Sequence, residues 1–328
     1  MRVFVAGASG AIGSRLVPQL IDAGHEVIGT ATSAASADRV RALGAKPVVL
    51  DLLDRRAVRQ SVLASEPDAI VNEATALANI KFSRNFDRVF AQTNRLRTEG
   101  TDALLAAAQE AGVTRIVGQS YASARYARDG GIAQTEGDPL DPNPPRDARE
   151  GQAAMRHNDD ALTAAGGIAL RYGAFYGAAN DGLVEPVRKR QFPIIGDGGG
   201  ITSFVHLDDA AAATVLALER GEAGVYNIVD DDPAPAREWL PALAEALGAK
   251  PPRHFPRWLA RLVAGEFVVV MGTESRGASN AKAKRELGWE LRHPTWREGF
   301  VATYASSMQV KERKMRQPAA ASAGHSAS

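Results

Sequence analysis

Val3-Phe4-Val5-Ala6-Gly7-Ala8-Ser9-Gly10-Ala11-Ile12-Gly13 is the stretch from which the fold is read. Four apolar residues make a short buried strand. Three glycines follow at a spacing of three, and then Leu16, Val17, Leu20 and Ile21 recur at helical period. The pattern is strand, glycine turn, helix. Gly7 lets the chain leave the strand sharply, Gly10 lets a pyrophosphate approach the backbone, and Gly13 lets the helix pack close to the strand. The open N–H groups of Ser9, Ala11 and Ile12 at the helix start then face the phosphates of a dinucleotide.

Outward from this turn, strand and helix alternate. Glu26–Thr30, Pro47–Leu50, Asp68–Asn72, Arg115–Ser120, Ile168–Tyr172 and Val225–Val229 read as further strands. Helices are expected over 38–43, around Ala57 to Val62, over 86–111 and over 148–165. This spacing is that of right-handed βαβ units, so the fold class is α/β, a Rossmann-type doubly wound parallel sheet with a smaller carboxyl-terminal substrate lobe. The expected division is a dinucleotide-binding domain at 1–175 and 203–232 and a smaller lobe at 176–202 and 233–310. A disordered tail is expected at 311–328, where charged residues give way to Ala and Ser.

Composition narrows the function classes. The 328 residues carry 39 basic and 38 acidic side chains, a net charge of +1, which points to neither nucleic acid nor an anionic membrane. There is no cysteine, so thiolate chemistry and disulfides are excluded. No apolar run reaches the ~18 residues of a membrane span. The chain opens on a core strand with no signal-peptide pattern, and a cytoplasmic protein is expected. The six histidines are scattered without ligand spacing, so no metal is expected.

The residues after the second strand, Ala31, Thr32 and Ser33, include no acid to bond a ribose 2′-hydroxyl. Their hydroxyls, with Arg39 or Arg15 nearby, favour a 2′-phosphate, so NADP is preferred over NAD as cofactor. Asp51, closing the third strand, either accepts from the adenine or caps the next helix, for which Asp54 is the better cap.

Several segments together make the chain similar to the extended short-chain dehydrogenase/reductase family, also called the NAD-dependent epimerase/dehydratase family. They are the opening glycines, Asp51-Leu52, Gly100-Thr101, Leu170-Arg171-Tyr172-Gly173-Ala174-Phe175-Tyr176-Gly177, Phe204-Val205-His206-Leu207-Asp208-Asp209 and Asn280 to Trp289. The resemblance implies NAD(P) across the carboxyl edge of the sheet. Ala74 and Thr75 would then sit by the adenosine or ribose, Gln119 and Ser120 by the nicotinamide ribose, and Ala174 and Phe175 by the nicotinamide. It also implies a small-molecule substrate and a homodimer.

The catalytic signature of that family, a Tyr-x-x-x-Lys on the helix after the fifth strand, occurs nowhere in the chain. Aligned on Leu170-Arg171, Gly151 stands in place of the Tyr and Met155 in place of the Lys. Tyr121 stands at the position of the family's Ser or Thr. Tyr121 and Ser120 are therefore the catalytic candidates, with Arg125 or Arg156 as possible cations and Tyr126, Tyr172 and Tyr176 on carboxyl-end loops in reserve. The resulting expectation is an NAD(P)-dependent oxidoreductase acting on a small or medium carbonyl or alcohol through a non-standard proton donor. The alternatives are a redox-neutral epimerase, isomerase or lyase, and a nucleotide sensor without chemistry.

Overall fold

The computed structural model describes residues 1–77, 84–178 and 182–305. The expected disordered tail lies outside them. Seven parallel strands form the central sheet: β1 (Arg2–Ala6), β2 (Glu26–Ala31), β3 (Lys46–Val49), β4 (Ala69–Asn72), β5 (Arg115–Tyr121), β6 (Ile168–Tyr172) and β7 (Gly224–Ile228). Their order across the sheet is β3-β2-β1-β4-β5-β6-β7. The order reverses between β1 and β4, which opens a crevice at the carboxyl ends of those two strands, the usual ligand position in such sheets.

The inner strands β1, β4, β5 and β6 are buried on both faces, which is why they read as largely apolar runs, whereas edge strand β3 is partly exposed. One face packs against α1 (Gly13–Asp22) through Leu16, Val17 and Leu20 and against the helix Leu207–Arg220. The other face packs against α3 (Arg55–Ser65) and α5 (Thr101–Ala111). Short α2 (Ala34–Ala42) joins β2 to β3. Asp54 caps α3, accepting from Ala57 N–H at 3.0 Å. Arg115 opens β5 and donates to the carbonyls of Ala217, Leu218 and Gly221, closing the carboxyl end of the helix opposite.

The long helix differs from the sequence reading. The segment expected as one helix over 86–111 is α4 (Phe86–Arg95), a π turn at Leu96–Gly100, and α5. Thr101 N–H reaches back five residues to Leu96 O, so one extra residue is accommodated between the two α segments. The helix Leu207–Arg220 is capped by His206, whose Nδ1 accepts from Asp208 N–H at 3.2 Å. Asp209 accepts from the N–H groups of Arg292 and His293. The helix following β5 is α6 (Arg149–Ala164). A separate apolar cluster, including Val184, Ile194, Leu243, Trp296 and Phe300, lies beyond the carboxyl edge.

Candidate active site

The glycine turn crosses the reversal point of the sheet. Gly7 has φ +81°, and a side chain there would lie 2.7 Å from the Glu73 carbonyl on β4's extension. Its N–H donates to Thr30 Oγ1 at 3.0 Å, so β2 pins the turn from the other side. Gly10 N–H closes onto Gly7 O at 2.9 Å. A Cβ on Gly13 would overlap Gly7 O and come within 2.6 Å of the Ala8 carbonyl, so α1 packs on the loop only because that residue is glycine. Gly10 and Ala11 are exposed and Ser9 half-exposed, whereas Ile12 and Gly13 are buried. A backbone cradle with an open side at Gly10 suits a dinucleotide pyrophosphate.

Next to the turn, Thr32 and Ser33 are exposed at the end of β2. Ser33 caps α2 in a reciprocal pair with Ser36. Arg39 is exposed on α2 with no acidic partner among the described residues. Arg15 pairs with Asp208 at 3.4 Å. Exposed Asp51 accepts from Leu53 N–H at 2.9 Å, and Leu52 is buried beside Gly100. Ala74 and Thr75 line the β4 exit half-buried. Glu73, just before them, turns inward to accept from the Tyr172 hydroxyl at 2.8 Å. Burial raises its carboxyl to about 8.

The carboxyl end of β5 is built from side chains instead. Ser120 is buried, and its Oγ accepts from Arg125 Nη1 at 2.8 Å. Arg125 and Arg171 both grip Asp159 of α6, at 2.9 and 2.8 Å. Arg171 also donates to Tyr126 Oη, which donates to Asn227 Oδ1. Gln119 is buried, and its carbonyl accepts from Asn158, which links through Thr101 to Asn72. Tyr121 ends the strand; burial raises its phenol, while Ser123 and Arg97 act the other way. Ala174 and Phe175 lie on the short strand Ala174–Tyr176, and Phe175 rests 5.3 Å from the Tyr172 ring.

The sequence reading put Tyr126, Tyr172 and Tyr176 on loops as reserve proton donors. Tyr172 and Tyr176 instead close strands, and all three are buried. Tyr126 and Tyr172 have their hydroxyls bonded to Asn227 and to Glu73 and Thr214. The Tyr176 ring is enclosed by Phe204, His206 and Phe300. Arg156, one expected cation, is exposed on the outer side of α6.

Gly151 sits at the start of α6, its N–H donating to Asp87 Oδ1 at 2.9 Å beside Glu150 N–H to Oδ2 at 3.1 Å. A Cβ there would meet Asp87 and Asn94 at 3.6–3.8 Å, ordinary van der Waals contact, so these two side chains pack against the glycine. Met155 one turn later is buried. Sequence reasoning missed two groups in this region, Asn94 and Arg97. The structure also brings His206 and His293, distant in sequence, into ring contact at 3.8 Å. Their nitrogens and the Asp209 carboxylate lie within 4.8 Å of one another. Both oxygens of that carboxylate already hold backbone N–H groups, and burial with the neighbouring His293 lowers His206 to about 4.

Comparison with known proteins agrees with this architecture. The sequence profile of the NAD dependent epimerase/dehydratase family matches residues 3–229. A 3-diazoavenalumate denitrifying reductase from a Streptomyces species is 42% identical over 311 residues, covering 92% of this chain and 99% of that protein. Among solved structures, the UDP-glucose 4-epimerase of Thermotoga maritima, crystallised with UDP-glucose, superposes with a TM-score of 0.75 at 21% identity, over 95% of this chain and all of that one. The UDP-glucose 4-epimerase of Thermus thermophilus, in complex with NAD, gives 0.71 at 25% identity, over 94% and 99%.

Proposed function

Since the chain belongs to the NAD-dependent epimerase/dehydratase family and is an enzyme of its NAD(P)-dependent oxidoreductase and epimerase kind, we propose that it is a reductase whose acceptor leaves without needing a proton from the protein, an anionic diazo compound reduced with loss of nitrogen. The bound reduced nicotinamide supplies hydride: a carbonyl acceptor then needs a proton as well, whereas a diazonium carbon takes the hydride pair as nitrogen departs with the carbon–nitrogen pair. The observation that carries this reading is the pair of residues at Gly151 and Met155, which leaves no proton donor there. The cofactor turn is intact, yet the helix after β5 offers neither phenol nor ammonium at Gly151 and Met155, the positions we align with the family's proton-handling pair. The other tyrosines near the sheet edge are tied up in the core. An epimerase also has to move the hydroxyl proton of its substrate, so the same vacancy counts against that alternative.

The chain's own residues hold and orient. Gly7, Ser9, Gly10, Ala11, Ile12 and Gly13 would carry the pyrophosphate, with Thr30 fixing the turn. Thr32, Ser33 and exposed Arg39, with no acid beside them at the end of β2, favour the 2′-phosphate of NADP. Asp51, Leu52, Ala74 and Thr75 would flank the adenosine, and Gln119, Ala174 and Phe175 the nicotinamide end. Tyr121 and Ser120 border the substrate there.

The test is incubation with NADPH and, separately, 4-carboxybenzenediazonium, a ketone panel and UDP-glucose. The reading predicts oxidation of NADPH matched by released nitrogen and arene with the diazonium salt. NADPH oxidation confined to ketones, or sugar epimerisation without net oxidation, overturns it.

A further inference from the structure

Around Gly151 lie buried polar atoms without hydrogen-bond partners among the described residues. Asn94, near the end of α4, is buried with neither its amide nitrogen nor its oxygen bonded. Arg97, three residues on in the π turn, has an enclosed Nε with no partner. Ser123 Oγ, two residues past β5, is buried beside the Tyr121 hydroxyl. Residues three apart share one side of a helix, so Asn94 and Arg97 belong to the same face. Arg97 is near enough to feel Tyr121, Arg125 and Asp159, and Asn94 borders Gly151. These groups therefore surround one space between α4, β5 and α6.

Asp159 binds Arg125 and Arg171 through one oxygen, Oδ2, and lies near enough to favour the charged form of Arg97. Asp87, beside Gly151, is bound to the N-terminus of α6. No carboxylate among the described residues is in bonding contact with half-buried Arg97. A half-buried guanidinium without a bonded carboxylate and a buried amide without partners are each costly, and a ligand that completes both removes that cost.

We propose that Arg97, with the Asn94 amide and the Ser123 and Tyr121 hydroxyls, forms a carboxylate-binding subsite that anchors the substrate beside Gly151. A guanidinium fork, an amide and hydroxyls match a planar, singly charged oxyanion, while a dianionic phosphate draws more cations than one. The inference rests on reading the β5 end as the substrate side of the cleft, and it deepens that reading by naming which end of the substrate the protein holds.

The probe is trans-cinnamate, titrated calorimetrically into the protein with NADP⁺ present, with methyl cinnamate as the uncharged control. Wild type is expected to bind cinnamate at least ~10-fold more tightly than the ester. Arg97→Met should remove that preference without changing ester binding, and Arg97→Lys should restore part of it. Asn94→Asp supplies an internal carboxylate next to the charge. It should raise the melting temperature while abolishing cinnamate binding, so the test survives if Arg97→Met does not fold. Equal cinnamate affinity in wild type and Asn94→Asp, an ester bound as tightly as the acid, or no cinnamate binding by wild type overturns the proposal. Because no turnover is measured, Arg97-dependent binding together with failure to reduce diazonium salts would keep the subsite and discard the denitrifying reaction.

Discussion

The carboxyl ends of β1 and β5 are separated by a single strand, β4, and they are built on opposite plans. At β1 the working surface is backbone: a turn held by Gly7, Gly10 and Gly13 and pinned by Thr30, with close contacts on every side but the one facing out. At β5 the surface is made of side chains brought from α4, the π turn and α6, and several are left without partners. A backbone cradle recognises a phosphate whatever surrounds it, so it persists among enzymes of different chemistry. A side-chain site changes its chemistry by exchanging a few residues, and here it holds an unbonded amide and a half-buried guanidinium.

The comparison breaks most readily at the turn. Gly10→Val adds a branched side chain to the one open side, where a Cβ meets only Gly7 O at 3.1 Å. The protein should stay folded while NADP(H) affinity drops at least ~100-fold, about 3 kcal/mol. Gly13→Val overlaps two carbonyls and should lose folding as well. Calorimetry and circular dichroism of the pair separate ligand contact from packing. Unchanged affinity in folded Gly10→Val would remove the dinucleotide from this turn.

Beneath the turn, Glu73 sharpens the contrast through pH. Its carboxyl lies at about 8 in the fold against 4.5 unperturbed, because burial disfavours the charged form. A raised pKa means that its contribution is fully present below 4.5 and is lost as pH rises through about 8. Glu73→Gln keeps an acceptor for the Tyr172 hydroxyl and has no charge to bury. At pH 9 it should be about 2 kcal/mol more stable than wild type, or ~5 °C in melting temperature, and show little gain at pH 4. Asp230, also raised to about 8 by burial, leaves a residual slope of the same sign. Parallel melting curves of the two proteins against pH would show that Glu73 ionises freely.

At the rim of the cradle, Ala31→Asp places a carboxylate where a 2′-phosphate would lie. Preference should move towards NAD(H) by ~10-fold, since like charges repel and the ribose hydroxyl gains an acceptor. A wild type that already prefers NAD(H) ten-fold would break the NADP reading.

The smallest effect is expected at β5. Tyr121→Phe removes only the hydroxyl, and with a diazonium substrate the rate should fall less than ~10-fold because no proton is required. A loss of ~10²–10⁴-fold would make Tyr121 a general acid and return the function to carbonyl reduction.

The order of strands and helices was legible because each announces itself locally. Val3 to Gly13 carries its own period and its own glycines, and Asp54 caps the helix it precedes. The same local logic failed where charge and hydroxyl groups are concerned. Tyr126, Tyr172 and Tyr176 look available beside strand ends, but Asn227, Glu73 and Gly299, far away in the chain, bury them. His206 caps its helix and stacks on His293, which no spacing announces.

By itself the sequence determined the parallel sheet, the strand–glycine turn–helix unit and the absence of a Tyr-x-x-x-Lys pair, because these depend on residues within one or two elements. Only the tertiary structure decided which polar groups meet at the empty position. Arg97 reads as one more surface charge on a helix. It is half-buried in a π turn that inserts a residue between α4 and α5, and it shares Asp159 with Arg125 and Arg171, which bind that carboxylate directly. The register between helices and the competition for one carboxylate are set by packing between distant segments, and no local pattern encodes them.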